Sequence, residues 1–374
     1  MIRNNSLALY VHIPFCVSKC RYCDFASFGG MDIGARERYV ERLIEEIRTY
    51  RREERLLLST VFFGGGTPSL LEPHLFTRIF SAIKETFLLS ENPELTVEAN
   101  PGTLTRESLA AFTECGVNRI SLGLQSIHEN ELKTLGRIHS FEESREALEL
   151  ARSFGISNIN VDLMYGIPHQ TADSFSRTLD EVIALSPTHI SAYGLIIEEG
   201  TPFYSMRDKL PLPSEDDEAD MYFLAAEKLR GAGYLHYEIS NYAKRGFECR
   251  HNLVYWRGEE YIGVGLAAHS YFEGCRFSNT ENMTEYMMSP DFGKGERVRI
   301  DLENEAFEYA MTALRLSEGI SLSEYADRFG SSFTEGKPII DKYIAEGLMR
   351  LVGDRLAFTE RGFYVQNAIL ANIL

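Results

Sequence analysis

HIPFCVSKCRYCDF, residues 12–25, sets three thiols at spacings of four and three residues, so one short loop carries Cys16, Cys20 and Cys23. Thiolates are soft ligands that select iron–sulfur clusters or zinc. A structural zinc site is closed by four ligands, and the position where a fourth cysteine would be sought is Phe25. Three thiolates on a four-iron cluster leave one iron open to a ligand carrying both an amine and a carboxylate. Spacing alone keeps zinc or a redox-reactive triplet as the alternative. The chain has six cysteines in 374 residues, too few for a disulfide scaffold, and Cys115, Cys249 and Cys275 are scattered. The triplet therefore reads as metal binding in a reducing compartment.

Working outward, the loop follows LALYVHI, the first of six short apolar runs. STVFFG, ELTVEAN, NRISLGL, INVDLMYG and HISAYGL follow. Between them lie amphipathic stretches such as RERYVERLIEEIRTYRRE and LFTRIFSAIKETF, with apolar residues at three-to-four spacing. Alternating strands and helices predict a parallel sheet. The informative residues cluster just past the strands, in the cysteine loop, GGGTP, EANP, GLQS and VDLMYGIP, and ligands of α/β sheets bind at those carboxyl ends. Gly64, Gly65 and Gly66 allow backbone to approach a ligand closely. Glu98 suits ribose hydroxyls or an ammonium, with a helix-entry cap before Pro101 as the alternative. Arg137 offers a bidentate fork to a carboxylate, and Asp162 suits a pair of ribose hydroxyls.

After Pro211 the alternation lapses. LPLPSEDDEAD leads into a helix within ADMYFLAAEKLRGAG, and a different module is expected there. From about Glu305 the pattern is helix, helix, helix, hairpin (LVGDRLAFTERG) and a last apolar helix, suggestive of a small winged-helix-like domain. The expected organisation is 1–210 as barrel, 211–300 as connecting region and 301–374 as C-terminal domain. The formal net charge of −17 disfavours nucleic acid and other anionic partners, so the last domain is expected to pack on the barrel. No apolar run approaches the roughly 18 residues of a membrane span, and MIRNNSLALYVHIPFC is too short an apolar run for a secretory signal. A cytoplasmic location is expected.

CxxxCxxC after a first strand, with GGGTP after a second, resembles the radical S-adenosylmethionine (SAM) superfamily over roughly residues 7–210. The resemblance implies an α/β fold, a partial (β/α)6 TIM-like barrel, with Cys16, Cys20 and Cys23 holding a [4Fe–4S] cluster whose open iron binds SAM. More closely, YVHIPFC, FGGGTP, EANP, LGLQS, LGRIH and VDLMYGIP are similar to the oxygen-independent coproporphyrinogen III oxidase (HemN) group. That resemblance implies that Tyr10, Gly65, Gly66, Thr67, Glu98, Gln125, Arg137 and Asp162 bind SAM, with Tyr22 placed to stack over adenine.

Two departures separate this chain from the oxidases. It has CxxxCxxCDF where they resemble one another in CxxxCxxCxC, and its first strand comes almost at once where they share a longer extension. It carries instead HNLVYW, residues 251–256, and so resembles the haem-chaperone branch of the group, the HemW family, over nearly its whole length. Imidazole is a natural axial ligand of haem iron, and Tyr and Trp supply flat apolar surface. His251, Asn252, Tyr255 and Trp256 are thus the haem candidates, against a reading as a core-packed loop; Cys249 is either an alternative thiolate or an inert core thiol. The resemblance implies haem and a haem-accepting, membrane-associated protein as partners, and a homodimer. Oxidative decarboxylation of coproporphyrinogen III stays open as the alternative activity, and so does a radical SAM enzyme acting on an unrelated substrate.

Overall fold

The six apolar runs become strands because helices cover one side and the barrel interior the other, and β-branched and aromatic residues suit such a surface. The computed structural model describes residues 6–374; the first residues of the stretch read for a secretory signal lie outside them. The strands are β1 (Ser6–Ile13), β2 (Leu57–Gly65), β3 (Leu88–Ala99), β4 (Arg119–Gln125), β5 (Asn158–Tyr165) and β6 (His189–Gly194). Each pairs in parallel with the next. The crossovers are α1 (Ile33–Thr49), α2 (Pro73–Thr86), α3 (Arg106–Glu114), the pair α4 (Glu129–Leu135) and α5 (Phe141–Ser153), and α6 (Ala172–Ala184). Side chains cap their starts: Thr105, Ser140 and Thr171 each form a reciprocal capping box on α3, α5 and α6, satisfying backbone donors that have no partner inside the helix. The partial (β/α)6 barrel matches the expected fold class. An extra short helix, α4, stands before α5 and is closed by Gly136 at φ 80°.

Residues 211–300 behave differently from the expectation of a separate module. After α7 (Pro202–Met206) and α8 (Glu215–Gly231), the hairpin β7 (Leu235–Glu238) and β8 (Asn241–Ala243) joins the sheet beside β6. Then α9 (Arg250–Trp256) leads to β9 (Tyr261–Val264), which pairs in parallel with β1 at the far side, Tyr10 opposite Gly263. The antiparallel strands β10 (His269–Phe272), β11 (Cys275–Ser278) and β12 (Val298–Arg299), with α10 (Met283–Met288), extend that side. One twelve-stranded sheet results, in the order β12-β11-β10-β9-β1-β2-β3-β4-β5-β6-β8-β7. The segment thus supplies strands to both ends of the barrel sheet. The reason is edge chemistry: β1 and β6 would otherwise present unpaired backbone.

A buried carboxylate locks the added strands to the barrel. Glu46 of α1 accepts from Gly265 N at 2.8 Å, Asn279 Nδ2 at 2.8 Å and Tyr286 Oη at 2.9 Å, so its burial is met by hydrogen bonds as such groups require. The C-terminal unit has its own core, including Leu314, Ile320, Ile340, Leu356, Phe358 and Ile369. It contains α11 (Leu302–Ala313), α12 (Leu322–Phe329), α13 (Ile339–Ala345), a three-stranded sheet of β13 (Ile320–Ser321), β14 (Met349–Val352) and β15 (Arg355–Phe358), then α14 (Glu360–Tyr364) and α15 (Gln366–Ile373). That order is winged-helix-like. Glu360 docks it onto the barrel, meeting His236 Nδ1 at 2.8 Å and Tyr222 Oη at 3.1 Å, and Ile239 N donates to Arg315 O at 3.0 Å beside a Glu238–Leu316 bridge.

Candidate functional site

The cysteine loop is pinned at its base and along its rim. Phe15–Cys16 pairs with Phe28–Gly29, and Cys23 N donates to Cys20 O at 3.3 Å inside the loop. From outside, Arg21 N donates to Leu135 O at the end of α4, and Phe203 N of α7 donates to Arg21 O. All three thiols are free and half-buried. Among the described residues no three His, Cys, Asp or Glu side chains converge as ligands of one metal ion. Mononuclear zinc needs its sulfurs all at about 2.3 Å from one centre. Thiolates that each take a different iron of a cluster need no such convergence.

Beside the loop, β2 ends in a cradle made of bare backbone. Gly65 sits at φ +110°, and a Cβ there would lie 2.5 Å from the His12 ring; one on Gly66 would lie 2.7 Å from Phe15 O. Only glycine tolerates both the left-handed region and the contact. Gly65 N donates to Glu98 Oε2 at 3.1 Å, so Glu98 is tied to the cradle and does not cap the turn before Pro101. Burial, reinforced by Asp162, pushes the Glu98 carboxyl up to about 7. Thr67 Oγ1 donates to Cys16 Sγ at 3.6 Å and accepts from Asn100 Nδ2 at 2.9 Å. The threonine therefore joins the cradle to the first cysteine.

Arg137 makes the corresponding link to the second. Its Nη1 donates to Cys20 Sγ at 3.6 Å, while Nη2 donates to Asn100 Oδ1 at 2.7 Å and to Gly123 O. Its buried Nε has no partner, an orphaned donor of the kind a bound group would satisfy. Gln125 holds the strained φ of 70° at the end of β4, and its Oε1 accepts from Tyr193 Oη at 2.9 Å. Asp162 accepts from Asn160 Nδ2 at 2.8 Å and Ser121 Oγ at 3.2 Å; burial raises its carboxyl. Tyr22 is also raised by burial, with Arg137 opposing and Cys20, Cys23 and Asp162 adding to the rise, and it packs on the apolar cluster of Leu135, Met164, Ile167 and Phe203. Tyr10 shares a 3.0 Å hydrogen bond with His12 Nδ1. The expected cofactor residues are thus brought together at one mouth of the barrel, and the glycine cradle and unsatisfied guanidinium donor fit a cluster with an amino-acid-bearing nucleotide. Asn100, quoted within EANP, was given no role from sequence, yet it bridges Thr67 and Arg137.

HNLVYW is a helix, α9, and not a loop. Its N-cap residue Cys249 provides no side-chain cap; Glu94 of β3 does so from across the sheet. Glu94 accepts from His251 N at 2.9 Å and Arg250 N at 3.0 Å, and Cys249 Sγ points at it from 3.6 Å. Burial pushes the Cys249 thiol up to about 12, the state of an inert core thiol. His251 is 1% exposed, with Nδ1 bonded to Thr60 Oγ1 and Nε2 to Tyr255 Oη, both at 2.8 Å. Burial, with Arg119 adding, lowers its imidazole to about 3. Both ring nitrogens are engaged, so His251 stands here as a satisfied core histidine and Tyr255 as its partner. Trp256 lies under Arg315, 5.7 Å from guanidinium carbon to ring centroid, with its Nε1 lacking a hydrogen-bond partner. Asn252 is half-buried on the same helix. The His251 ring stacks on Phe62 at 5.0 Å, and Phe62 stacks on Tyr10 at 6.2 Å, which ties this helix to the cradle.

Residues 10–182 match the model of the radical SAM superfamily, and residues 300–365 that of the HemN C-terminal domain. The heme chaperone HemW of Haemophilus influenzae is 36% identical, covering 97% of this chain and 97% of the relative. The heme chaperone HemW of Escherichia coli is also 36% identical, over 99% and 98% respectively, and that of Bacillus subtilis 34% over 98% of each. The solved structure of coproporphyrinogen III oxidase (HemN) from Escherichia coli superposes with a TM-score of 0.87, covering 99% of this chain and 90% of that one, at 22% identity. At that identity the superposition speaks to fold alone.

Proposed function

The chain belongs to the HemW family of the radical SAM superfamily, and on that premise we propose that it is a haem chaperone. It takes up haem in the presence of a [4Fe–4S] cluster and SAM and delivers haem to a haem-requiring protein. One observation supports the reading above the others: His251 of the HNLVYW helix stacks on Phe62, which stacks in turn on Tyr10 of the cofactor set. The haem-linked motif and the radical SAM cradle therefore share a wall.

In this reading Cys16, Cys20 and Cys23 hold the cluster, and Tyr10, Tyr22, Gly65, Gly66, Thr67, Glu98, Gln125, Arg137 and Asp162 hold SAM. The cluster and SAM together supply one-electron chemistry when bound. The chain's own work is positioning: Thr67 and Arg137 hydrogen-bond to the thiol sulfurs, and Glu98 and Asp162 offer buried carboxyl groups that a hydroxyl-rich, cationic ligand would engage. His251, Asn252, Tyr255 and Trp256 form the haem-linked helix. Residues 1–210 serve as the radical SAM unit, 211–300 as the connecting region bearing that helix, and 301–374 as the docked C-terminal unit. A homodimeric state, a cytoplasmic location and a membrane-associated acceptor complete the proposal; among the described residues no helix is long and apolar enough to cross a membrane.

The test is an anaerobic titration of the cluster-reconstituted protein with haem, followed by the Soret band, beside a coproporphyrinogen turnover assay. Stoichiometric haem binding without turnover supports the chaperone. Turnover without haem binding returns the chain to the oxidases.

A further inference from the structure

A cavity of about 730 Å³ opens beside the cysteine loop, within the roughly 300–1,000 Å³ of small-molecule and cofactor sites. Its walls include Tyr10 of β1, Tyr255 of α9 and Tyr261 of β9, with Phe25 and Phe28 contributed by the loop itself. The three phenol oxygens are already occupied: Tyr10 by His12, Tyr255 by His251 and Tyr261 by Arg276. What these residues offer to an occupant is ring surface. Phe25 is 64% exposed, a large apolar side chain at the rim with no packing reason to be there. Of the SAM candidates only Tyr10 lines this space, so it is not the glycine cradle but the compartment next to it.

Three histidines stand on or just behind this wall, and they differ in what their rings do. His12 shares Nδ1 with Tyr10 and Nε2 with Ala26 O at 2.8 Å. His251, behind Tyr255, has both nitrogens bonded. His269 of β10 is exposed and lines the cavity, and among the described residues its imidazole has no hydrogen bond, ion pair or ring partner. On a strand whose next three residues, Ser270, Tyr271 and Phe272, are buried, it is the position left facing out. Lys19 is the cation of the lining, beside the carboxylates of Asp24 and Glu281. This composition, flat carbon walls, one unengaged imidazole and a lysine at the rim, suits a planar macrocycle whose metal accepts nitrogen and whose carboxylate arms reach solvent.

We propose that haem seats in this cavity with the His269 imidazole as its iron ligand, the HNLVYW histidine acting behind it as a positioning residue that fixes Tyr255. The inference rests on the haem-binding reading above and assigns its site. It also sets haem against the cluster loop, since Lys19, Asp24 and Phe25 belong to both.

The test compares wild-type protein, His269→Ala and His269→Tyr, all cluster-reconstituted and titrated with haem under anaerobic conditions, with absorption and electron paramagnetic resonance spectra. The expected wild-type spectrum is that of imidazole-ligated haem. His269→Ala should weaken binding at least about tenfold and lose that signature, and added free imidazole should restore it. His269→Tyr should still bind haem while showing a phenolate-ligated spectrum, which separates ligation from misfolding. A His269→Ala protein with wild-type affinity and spectrum overturns the assignment. So does a loss that imidazole does not restore, combined with a His269→Tyr protein that shows no phenolate spectrum. A wild-type protein that takes up no haem overturns the haem-binding reading itself, a result distinct from either.

Discussion

Glu94→Ala removes the cap of α9, and its cost follows from what the carboxylate touches. His251 N, fully buried, loses its acceptor at 2.9 Å, and Arg250 N, partly buried, loses its own at 3.0 Å. An unsatisfied buried donor costs about 1–3 kcal/mol, so the first is worth about 2–3 and the second, which water reaches, about 1. Loss of negative charge at a helix start adds about 0.3–1 kcal/mol. The sum is about 3–5 kcal/mol, before any penalty on the buried Arg119, whose charge Glu94 also faces. With an unfolding entropy of about 2.1 cal/mol/K per residue, a chain of 374 residues shifts by about 1.3 °C per kcal/mol, so the melting temperature should fall by about 4–6 °C. Glu94→Gln keeps one acceptor oxygen and should lose about half as much. Thermal unfolding gives the size, and hydrogen exchange at the amides of Arg250 and His251 gives the place. A Glu94→Ala protein that melts within about 2 °C of wild type, with those amides still protected, refutes the account of how the HNLVYW helix is held.

Three further outcomes follow from the site. Gly65→Ala forces a Cβ to 2.5 Å from the His12 ring at φ +110° and should abolish SAM binding measured by calorimetry, with a stability loss of about 1–3 kcal/mol; unchanged SAM affinity would show that the cradle is not used. Glu98, raised to about 7, stabilises the ligand-free fold in its neutral form. That contribution is complete below the ordinary carboxylate range and is lost as pH rises through about 7, to the order of 3 kcal/mol. Glu98→Gln should therefore flatten the decline in stability between about pH 5 and 8, as read in denaturant titrations, while weakening SAM binding. Asp162, Arg119 and Tyr10 face the same carboxyl, so the wild-type slope is what the variant must be compared with. Alanine at Cys16, Cys20 or Cys23 should each reduce bound iron and sulfide after anaerobic reconstitution to near background, whereas alanine at Cys115 or Cys275 should leave both unchanged.

What the sequence made legible were features written locally. Apolar runs ending in glycine or polar residues marked all six barrel strands, and apolar residues at three-to-four spacing marked the amphipathic helices between them. The cofactor residues could be grouped because each follows a strand, and parallel strands bring their ends to one side. What stayed hidden were partnerships across the chain. HNLVYW is helical because Glu94, 157 residues from His251, supplies its cap; no local signal marks it. Residues 211–300 read as a different module because the βα rhythm stops, yet β9 lies along β1, with the loop that follows β9 held by the buried Glu46 of α1 and not by any repeat. His269 carries no motif, and its distinction, an imidazole without a partner among satisfied neighbours, exists only in three dimensions.

A partial barrel that does not close must do something about its two outermost strands, since exposed strand backbone recruits other chains. Here one outermost strand, β12, is two residues long and ends in Arg299, too short and too charged to template another strand. The other, β7, is covered where Glu238 bridges to Leu316 of the C-terminal unit. The docked unit therefore also guards against sheet-to-sheet association, and a chain trimmed of residues 301–374 would be expected to lose solubility before it loses its cysteine loop.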